Sequence, residues 1–451
     1  MNKLFGTDGI RGRANKFPMT VDIAQALGIS VSKILSKKRD ARKKVVIGKD
    51  TRTSGDMFEA ALSSGICAGG FDAILLGILP TPAVAYITQL LDADAGFMIS
   101  ASHNPPQDNG IKIFSSDGYK LSDQLESEIE SYLLAKSWEN DNLDNYGKIL
   151  HYADAHQQYI NYVKGTVTDS WSNELSLVVD CANGAASTVA KPIFESLFNS
   201  VTMIHEFADG KSINKNCGAM DTHSLQETVL AKNADIGIAF DGDADRLVLC
   251  DHKGEILNGD HILAICGRFL LENNNLPQNT IVATQYSNMG LDEAIRLSGG
   301  NVIRVLNGDR YVIEKMREKN LMLGGEASGH LIFKQFSTTG DGLVAALQVL
   351  DVMHQTKSKL AQLKQCISFY PQVIQNVAVR EKKDFQTMPS VMKIINQVNE
   401  KLAEKGRTLI RYSGTENKVR IMIEGKNHQE IKKFADAIAQ EIQIYIGLLD
   451  Q

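Results

Sequence analysis

At 451 residues the chain is too long for one core, and at ~150 residues per domain it suggests about three or four domains. Apolar residues make up 43% and charged residues 22%, and the net charge is -5, an ordinary globular balance with no basic footprint for nucleic acid. No apolar run approaches the ~20 residues that cross a bilayer, no leader pattern opens the chain, and the six cysteines form no Cys-x-x-Cys pair, so a cytoplasmic protein with reduced thiols and no membrane contact is expected.

In chain order, "KVVIGKD" (44 to 50), "LSLVVDC" (175 to 181) and "NTIVATQ" (279 to 285) are short β-branched runs that lead into loops and then helical patterns. This alternation predicts α/β domains with parallel or mixed sheets. "ADAGFMISASHN" from Ala93 and "ADIGIAFDGDAD" from Ala234 share one outline, and "NLMLGGEASGH" from Asn320 repeats it, which suggests three similarly built α/β domains that each offer one loop. From about residue 371 the pattern becomes strand, helix, strand, tight loop, strand, helix, which describes a small C-terminal α+β domain. Expected domains are 1–155, 156–255, 256–370 and 371–451, with no linker marking the boundaries.

Each loop carries its own chemistry. In "FDGDADR", Asp241, Asp243 and Asp245 pack three carboxylates into five residues after an apolar strand, where they would repel one another without a hard cation. Gly and Glu are not at the EF-hand positions, and Mg²⁺ with open positions for phosphate oxygens is the expected ion. In "RYSGTENKVR", Ser413, Thr415 and the amides around Gly414 lie between Arg411 and Arg420, a donor set suited to phosphate. In "GGEASGH", Glu326 suits sugar hydroxyls, Ser328 can donate or accept, and His330 can titrate. "SASHNPP" halts an apolar strand at Ser102 and His103, without a Gly-x-Ser-x-Gly elbow, and no nucleotide-binding glycine motif occurs in the chain. Ser102 is therefore a candidate phosphate carrier, and Lys112 a candidate acid/base if nearby cations such as Arg11 lower its pKa.

"FGTDGIRG" (5 to 12), "SASHNPPQDNGIKIF" (100 to 114), "DGDADR" (241 to 246), "GEASGH" (325 to 330) and "RYSGTENKVR" (411 to 420) resemble, in order and spacing, the α-D-phosphohexomutases. The resemblance implies a heart-shaped, four-domain enzyme that contributes one loop per domain to a central cleft. It implies that Ser102 is phosphorylated in the active form, that Asp241, Asp243 and Asp245 hold Mg²⁺ together with the phosphoserine, and that Arg11, His103, Lys112 and Arg246 surround the transferred group. Lys112 and His330 would handle protons, Glu326 and Ser328 would read the sugar, and Arg411, Ser413, Gly414, Thr415 and Arg420 would clamp the second phosphate. "FGTDGIRG" is typical of the members that act on glucosamine phosphate, so the implied substrate is a small hexosamine phosphate. The implied reaction turns glucosamine 6-phosphate into glucosamine 1-phosphate through glucosamine 1,6-bisphosphate, towards UDP-N-acetylglucosamine and peptidoglycan precursors. The family also implies a homodimer. Ala244 stands where Gly is usual, a change expected to cost little, and Ala327 stands where the glucosamine enzymes commonly carry Gln. Alternatives are a phosphomannomutase/phosphoglucomutase, a Mg²⁺-dependent sugar phosphatase, and a non-catalytic sugar-phosphate binding protein.

Overall fold

The computed structural model describes residues 4–6, 8–37, 43–140, 145–167, 175–413 and 416–448. The first sheet is built from β1 (Ile10–Arg13), β2 (Lys44–Lys49), β3 (Asp72–Ile78), β4 (Ala95–Ile99), β5 (Asp108–Ser115) and β6 (Ile149–His151), in the order β1-β5-β4-β2-β3-β6. The second holds β7 (Ser176–Asp180), β8 (Ser200–Ile204), β9 (Ile236–Phe240), β10 (Leu247–Asp251) and β11 (Ile256–Leu257), ordered β11-β10-β9-β7-β8. The third holds β12 (Thr280–Thr284), β13 (Asn301–Val305), β14 (Leu323–Gly325) and β15 (Leu331–Phe333), ordered β13-β12-β14-β15.

One device recurs in all three sheets. Parallel strands joined by helical crossovers end in an antiparallel hairpin, β4 with β5, β9 with β10, and β14 with β15. Strands β4 and β9 are buried along their whole length, which is why they read as unbroken apolar runs. Each hairpin loop therefore sits at the carboxyl end of a parallel strand, where loops of an open α/β sheet converge on ligands. The mixed α/β architecture expected from the sequence is present, and the repeated outline of the three motifs is this shared hairpin.

The fourth sheet is antiparallel, with β16 (Gln372–Ala378), β17 (Gly406–Tyr412) and β18 (Lys418–Gly425) in the order β16-β18-β17. Helices Pro389–Leu402 and His428–Ile446 cover one face, and Val391, Ile395, Ile421, Ile423, Ile438 and Ile442 fill the core between. The chain divides into two compact units, Met1–Tyr286 with Ser298–Cys366, and Ser287–Leu297 with Ile367–Gln451, so helix Met289–Leu297 belongs with the fourth sheet. Among the described residues, no helix is long and apolar enough to cross a membrane.

Candidate active site

Ser102 follows β4 and is 1% exposed, with its backbone in the left-handed region at φ 51°. A non-glycine residue there costs about 1–2 kcal/mol and needs support from its surroundings. Arg52 supplies it: Nη2 donates to the carbonyls of Ser102 (2.7 Å) and Asn104 (2.9 Å), and Nη1 to those of Pro105 (2.5 Å) and Asp108 (3.0 Å). Asp50 fixes Arg52 through Nε at 2.9 Å and also accepts from Ser100 Oγ at 2.6 Å; Ser100 Oγ in turn accepts the Ser102 amide at 2.8 Å. Asn214 Nδ2 adds a second donor to the Ser102 carbonyl at 2.7 Å. Gly242 lies so close that a Cβ there would come within 2.6 Å of the same carbonyl oxygen.

The Ser102 hydroxyl points at the acidic loop and donates to Asp241 Oδ2 at 2.6 Å, with His103 Nδ1 at 3.3 Å. Burial and then the cations Arg246 and Arg11 press His103 down to about 4, so the ring is neutral at pH 7. Asp241, Asp243 and Asp245 are all buried and each offers a carboxylate oxygen within 4.8 Å of the others. Burial, then Asp245 and Asp243, push Asp241 up to about 8. Asp243 Oδ1 and Asp245 Oδ1 are buried with no hydrogen-bond partner, although His330 Nδ1 lies 3.6 Å from the latter. Orphaned hard oxygens aimed into one point fit a cation such as Mg²⁺.

Lys112 corrects one expectation. Burial lowers its pKa, but Asp243, Asp245 and Asp8 outweigh burial and Arg11, and the ammonium is held well above its ordinary value. Its Nζ donates to Asp243 Oδ2 and Asp245 Oδ2, both at 2.8 Å, so the cations expected to lower it lose to closer carboxylates. Ala244 is a second correction: it sits at φ 55°, where the usual Gly is free of strain and Ala is not, so more than side-chain room changes.

The third sheet joins through His330, whose backbone bridges that of Arg246. Gly329, at φ 91°, permits this contact, because a Cβ would meet the Leu247 carbonyl at 2.2 Å. The Gly340 amide donates to His330 Nε2 at 3.1 Å, which leaves the proton of the neutral ring on Nδ1, facing Asp245. Burial lowers the His330 pKa, but Asp245 and Asp309 raise it further than burial lowers it. Glu326 accepts the Gly308 amide at 3.1 Å and is raised by burial, Ser328 is exposed, and Arg246 donates its amide to Asp241 Oδ1 at 3.1 Å.

A closed ring of charges ties these parts together. Lys112 approaches Asp8 at 3.5 Å, Asp8 and Asp309 both accept from Lys120, Asp309 is 3.4 Å from His330, and Asp245 closes the ring to Lys112. Arg11 also donates to Asp8. Thr81 Oγ1 donates to Asp243 Oδ2 at 2.5 Å. Sequence reasoning missed Asp8, Asp50, Arg52, Thr81, Lys120, Asn214 and Asp309. Asp8 and Asp50 lay inside quoted stretches, whereas Arg52, Thr81, Lys120, Asn214 and Asp309 bind partners dozens of residues away, which no local pattern reports.

In the C-terminal unit, Arg411 and Arg420 are directly opposed across β17 and β18, and both are exposed. Like charges so placed repel, and an anion between them would relieve the repulsion. Ser413 is 2% exposed, and its Oγ accepts the Glu416 amide at 3.3 Å. Gly414 and Thr415 lie outside the described residues.

Models of the phosphoglucomutase/phosphomannomutase family match four times in order: alpha/beta/alpha domain I over residues 2–140, domain II over 157–254, domain III over 258–370, and the C-terminal domain over 375–441. A phosphoglucosamine mutase of Pelobacter propionicus is 47% identical over 99% of both chains, and one of Syntrophotalea carbinolica is 46% identical over 99% of this chain and 98% of its own. Among solved structures, a phosphoglucomutase/phosphomannomutase family protein of Burkholderia thailandensis superposes with a TM-score of 0.81 at 22% identity, covering 99% of each chain. An Aspergillus fumigatus N-acetylphosphoglucosamine mutase, solved with GlcNAc-6P and magnesium, gives a TM-score of 0.67 at 16% identity, covering 98% of this chain and 95% of its own. With four domain models matched in order and full-length relatives at this identity, the chain belongs to the phosphoglucomutase/phosphomannomutase family of phosphohexomutases.

Proposed function

We propose that the protein is a phosphoglucosamine mutase that interconverts glucosamine 6-phosphate and glucosamine 1-phosphate, with Ser102 carrying the phosphoryl group. The observation that carries the reading is the buried Ser102 hydroxyl, held by a strained backbone and hydrogen-bonded to Asp241 of the carboxylate trio. Relatives named phosphoglucosamine mutase support the choice of sugar.

In the forward reaction the phosphorus–Oγ bond of phosphorylated Ser102 breaks as a bond forms to O1 of glucosamine 6-phosphate. The O1 proton leaves, and Oγ regains one, giving glucosamine 1,6-bisphosphate and free serine. The intermediate turns over, Ser102 attacks the 6-phosphoryl group, and glucosamine 1-phosphate departs. Asp241, Asp243, Asp245 and a phosphoserine oxygen would hold Mg²⁺, which supplies charge neutralisation for the transferring group. Lys112 enters as the ammonium oriented by Asp243 and Asp245, and His330 is the second proton handler. Arg11, His103 and Arg246 line the transferring group, Glu326 and Ser328 read the sugar hydroxyls, and Arg411, Ser413, Gly414, Thr415 and Arg420 hold the phosphate that is not reacting. Placement in the cytoplasm as a homodimer on the route to UDP-N-acetylglucosamine completes the proposal.

A ³¹P NMR time course with Mg²⁺ and a trace of glucose 1,6-bisphosphate, run on glucosamine, glucose and mannose 6-phosphates in parallel, tests it. The 1-phosphate signal should grow fastest from the glucosamine compound. Faster conversion of the other sugars would assign a phosphomannomutase/phosphoglucomutase, and inorganic phosphate alone would assign a phosphatase.

A further inference from the structure

Among the described residues, the second sheet gathers one more set of metal-ligating side chains apart from the aspartate trio. Asp180 ends β7, His205 follows β8, and Cys217 lies in the loop that leads to helix His223–Lys232. One carboxylate oxygen, one imidazole nitrogen and the thiol sulfur lie within 4.8 Å of one another. Asp180 and Cys217 are fully buried, while the His205 side chain is 27% exposed and opens the cluster to solvent.

Four features bear on this set. His205 Nδ1 and Asp180 Oδ2 lie 3.0 Å apart, an ion pair while the ring is protonated and close enough to serve as neighbouring ligands of one cation when it is not. Asp180 is fixed by backbone amides, Ala182 donating to Oδ1 at 2.8 Å and Gly218 to Oδ2 at 2.9 Å, the kind of outer support that orients a ligating carboxylate. The sulfur has only long partners, with Asn183 Nδ2 at 3.8 Å and the Ser212 carbonyl at 3.9 Å. His205 also keeps a left-handed backbone at φ 48°, at the cost of strain.

We propose that Asp180, His205 and Cys217 form a second metal site, selective for a borderline-soft divalent cation such as zinc and open at a fourth position toward solvent. Mixed oxygen, nitrogen and sulfur donors suit zinc and exclude Mg²⁺, which takes oxygen alone. The incoming cation displaces the thiol proton of Cys217 to solvent as the metal–sulfur bond forms. The site shares no residue with the aspartate trio. It does share a loop with the serine, because Asn214, three residues before Cys217, donates to the carbonyls of Ser102 and Asn104. An occupant would therefore stiffen the segment that braces Ser102.

Cobalt titration of the full-length protein in excess Mg²⁺ tests this, since Mg²⁺ occupies oxygen sites and Co²⁺ reports sulfur. The expected result is one Co²⁺ per chain with a thiolate-to-cobalt charge-transfer band in the near ultraviolet. Cys217→Ser should abolish the band, and His205→Asn should weaken Co²⁺ binding at least about tenfold. No band at saturating Co²⁺, or a band that survives Cys217→Ser, overturns the site. Should Cys217→Ser fail to fold, unchanged affinity in His205→Asn overturns it instead.

Discussion

Ser102 is held in a conformation that costs an L-residue energy, and most of the support comes from one arginine, with Asn214 and Ser100 beside it. Replacing Ser102 with Ala removes the phosphate carrier, and turnover should fall below about one-thousandth of the parent, while sugar-phosphate affinity measured by calorimetry stays within about threefold. Retained turnover would remove Ser102 from the mechanism. Arg52→Met is the subtler change. It leaves Asp50 buried without its cation and removes a donor from four loop carbonyls, of which those of Ser102 and Asn104 keep only Asn214, so Ser102 should relax away from Asp241. A misplacement on the order of 1 Å costs about a hundredfold in rate. The expected result is a kcat drop of about that size with KM nearly unchanged, and a matching rise in KM would instead assign Arg52 to substrate binding.

At the scale of elements, the strand-loop-strand hairpin is the unit that positions chemistry, and much of it was legible. Buried strands show as apolar runs, and their loops show as abrupt polar clusters, so Ser102, the aspartate trio and the Glu326 loop could be located from sequence. What the sequence hid was partnership. Arg52 reaches residues about fifty positions on, and the raised pKa of Lys112 follows from carboxylates on another sheet. The opposed arginines of β17 and β18 carry their own prediction. Arg411→Ala or Arg420→Ala should raise KM about tenfold or more, as loss of a charge-assisted phosphate contact does, and unchanged steady-state KM in both would remove the clamp. Helix Gly342–Thr356 supplies a pH test. Its N-cap Asp341 is fully buried, accepts from Val344 N and Tyr159 Oη, and is pushed up to about 6 by burial. A folded pKa above the unfolded value means that the protonated form stabilises the fold below about pH 4, and that this contribution is lost as pH rises through 6. Relative to Asp341→Asn, the parent should lose up to about 3 kcal/mol between pH 4 and pH 7, read from paired thermal midpoints. Parallel pH profiles for the two proteins would contradict it.

For the molecule as a whole, three sheets that share a hairpin plan each deliver one loop to a common charge system in the larger compact unit. Chelation of divalent ions should abolish turnover and Mg²⁺ should restore it, while Asp243→Asn should need at least about tenfold more Mg²⁺ for half-maximal rate. An unchanged Mg²⁺ titration in that variant would place the ion elsewhere. The ring of Lys112, Asp8, Lys120, Asp309, His330 and Asp245 also constrains how such a sequence can drift. Because each lysine and aspartate of the ring faces two neighbours of complementary character, a single substitution among them strands charge, whereas a matched exchange of adjacent members does not. Descendants of this chain should therefore change the ring in coupled steps or leave it alone, and ancestral intermediates carrying half of such a step should be the unstable ones.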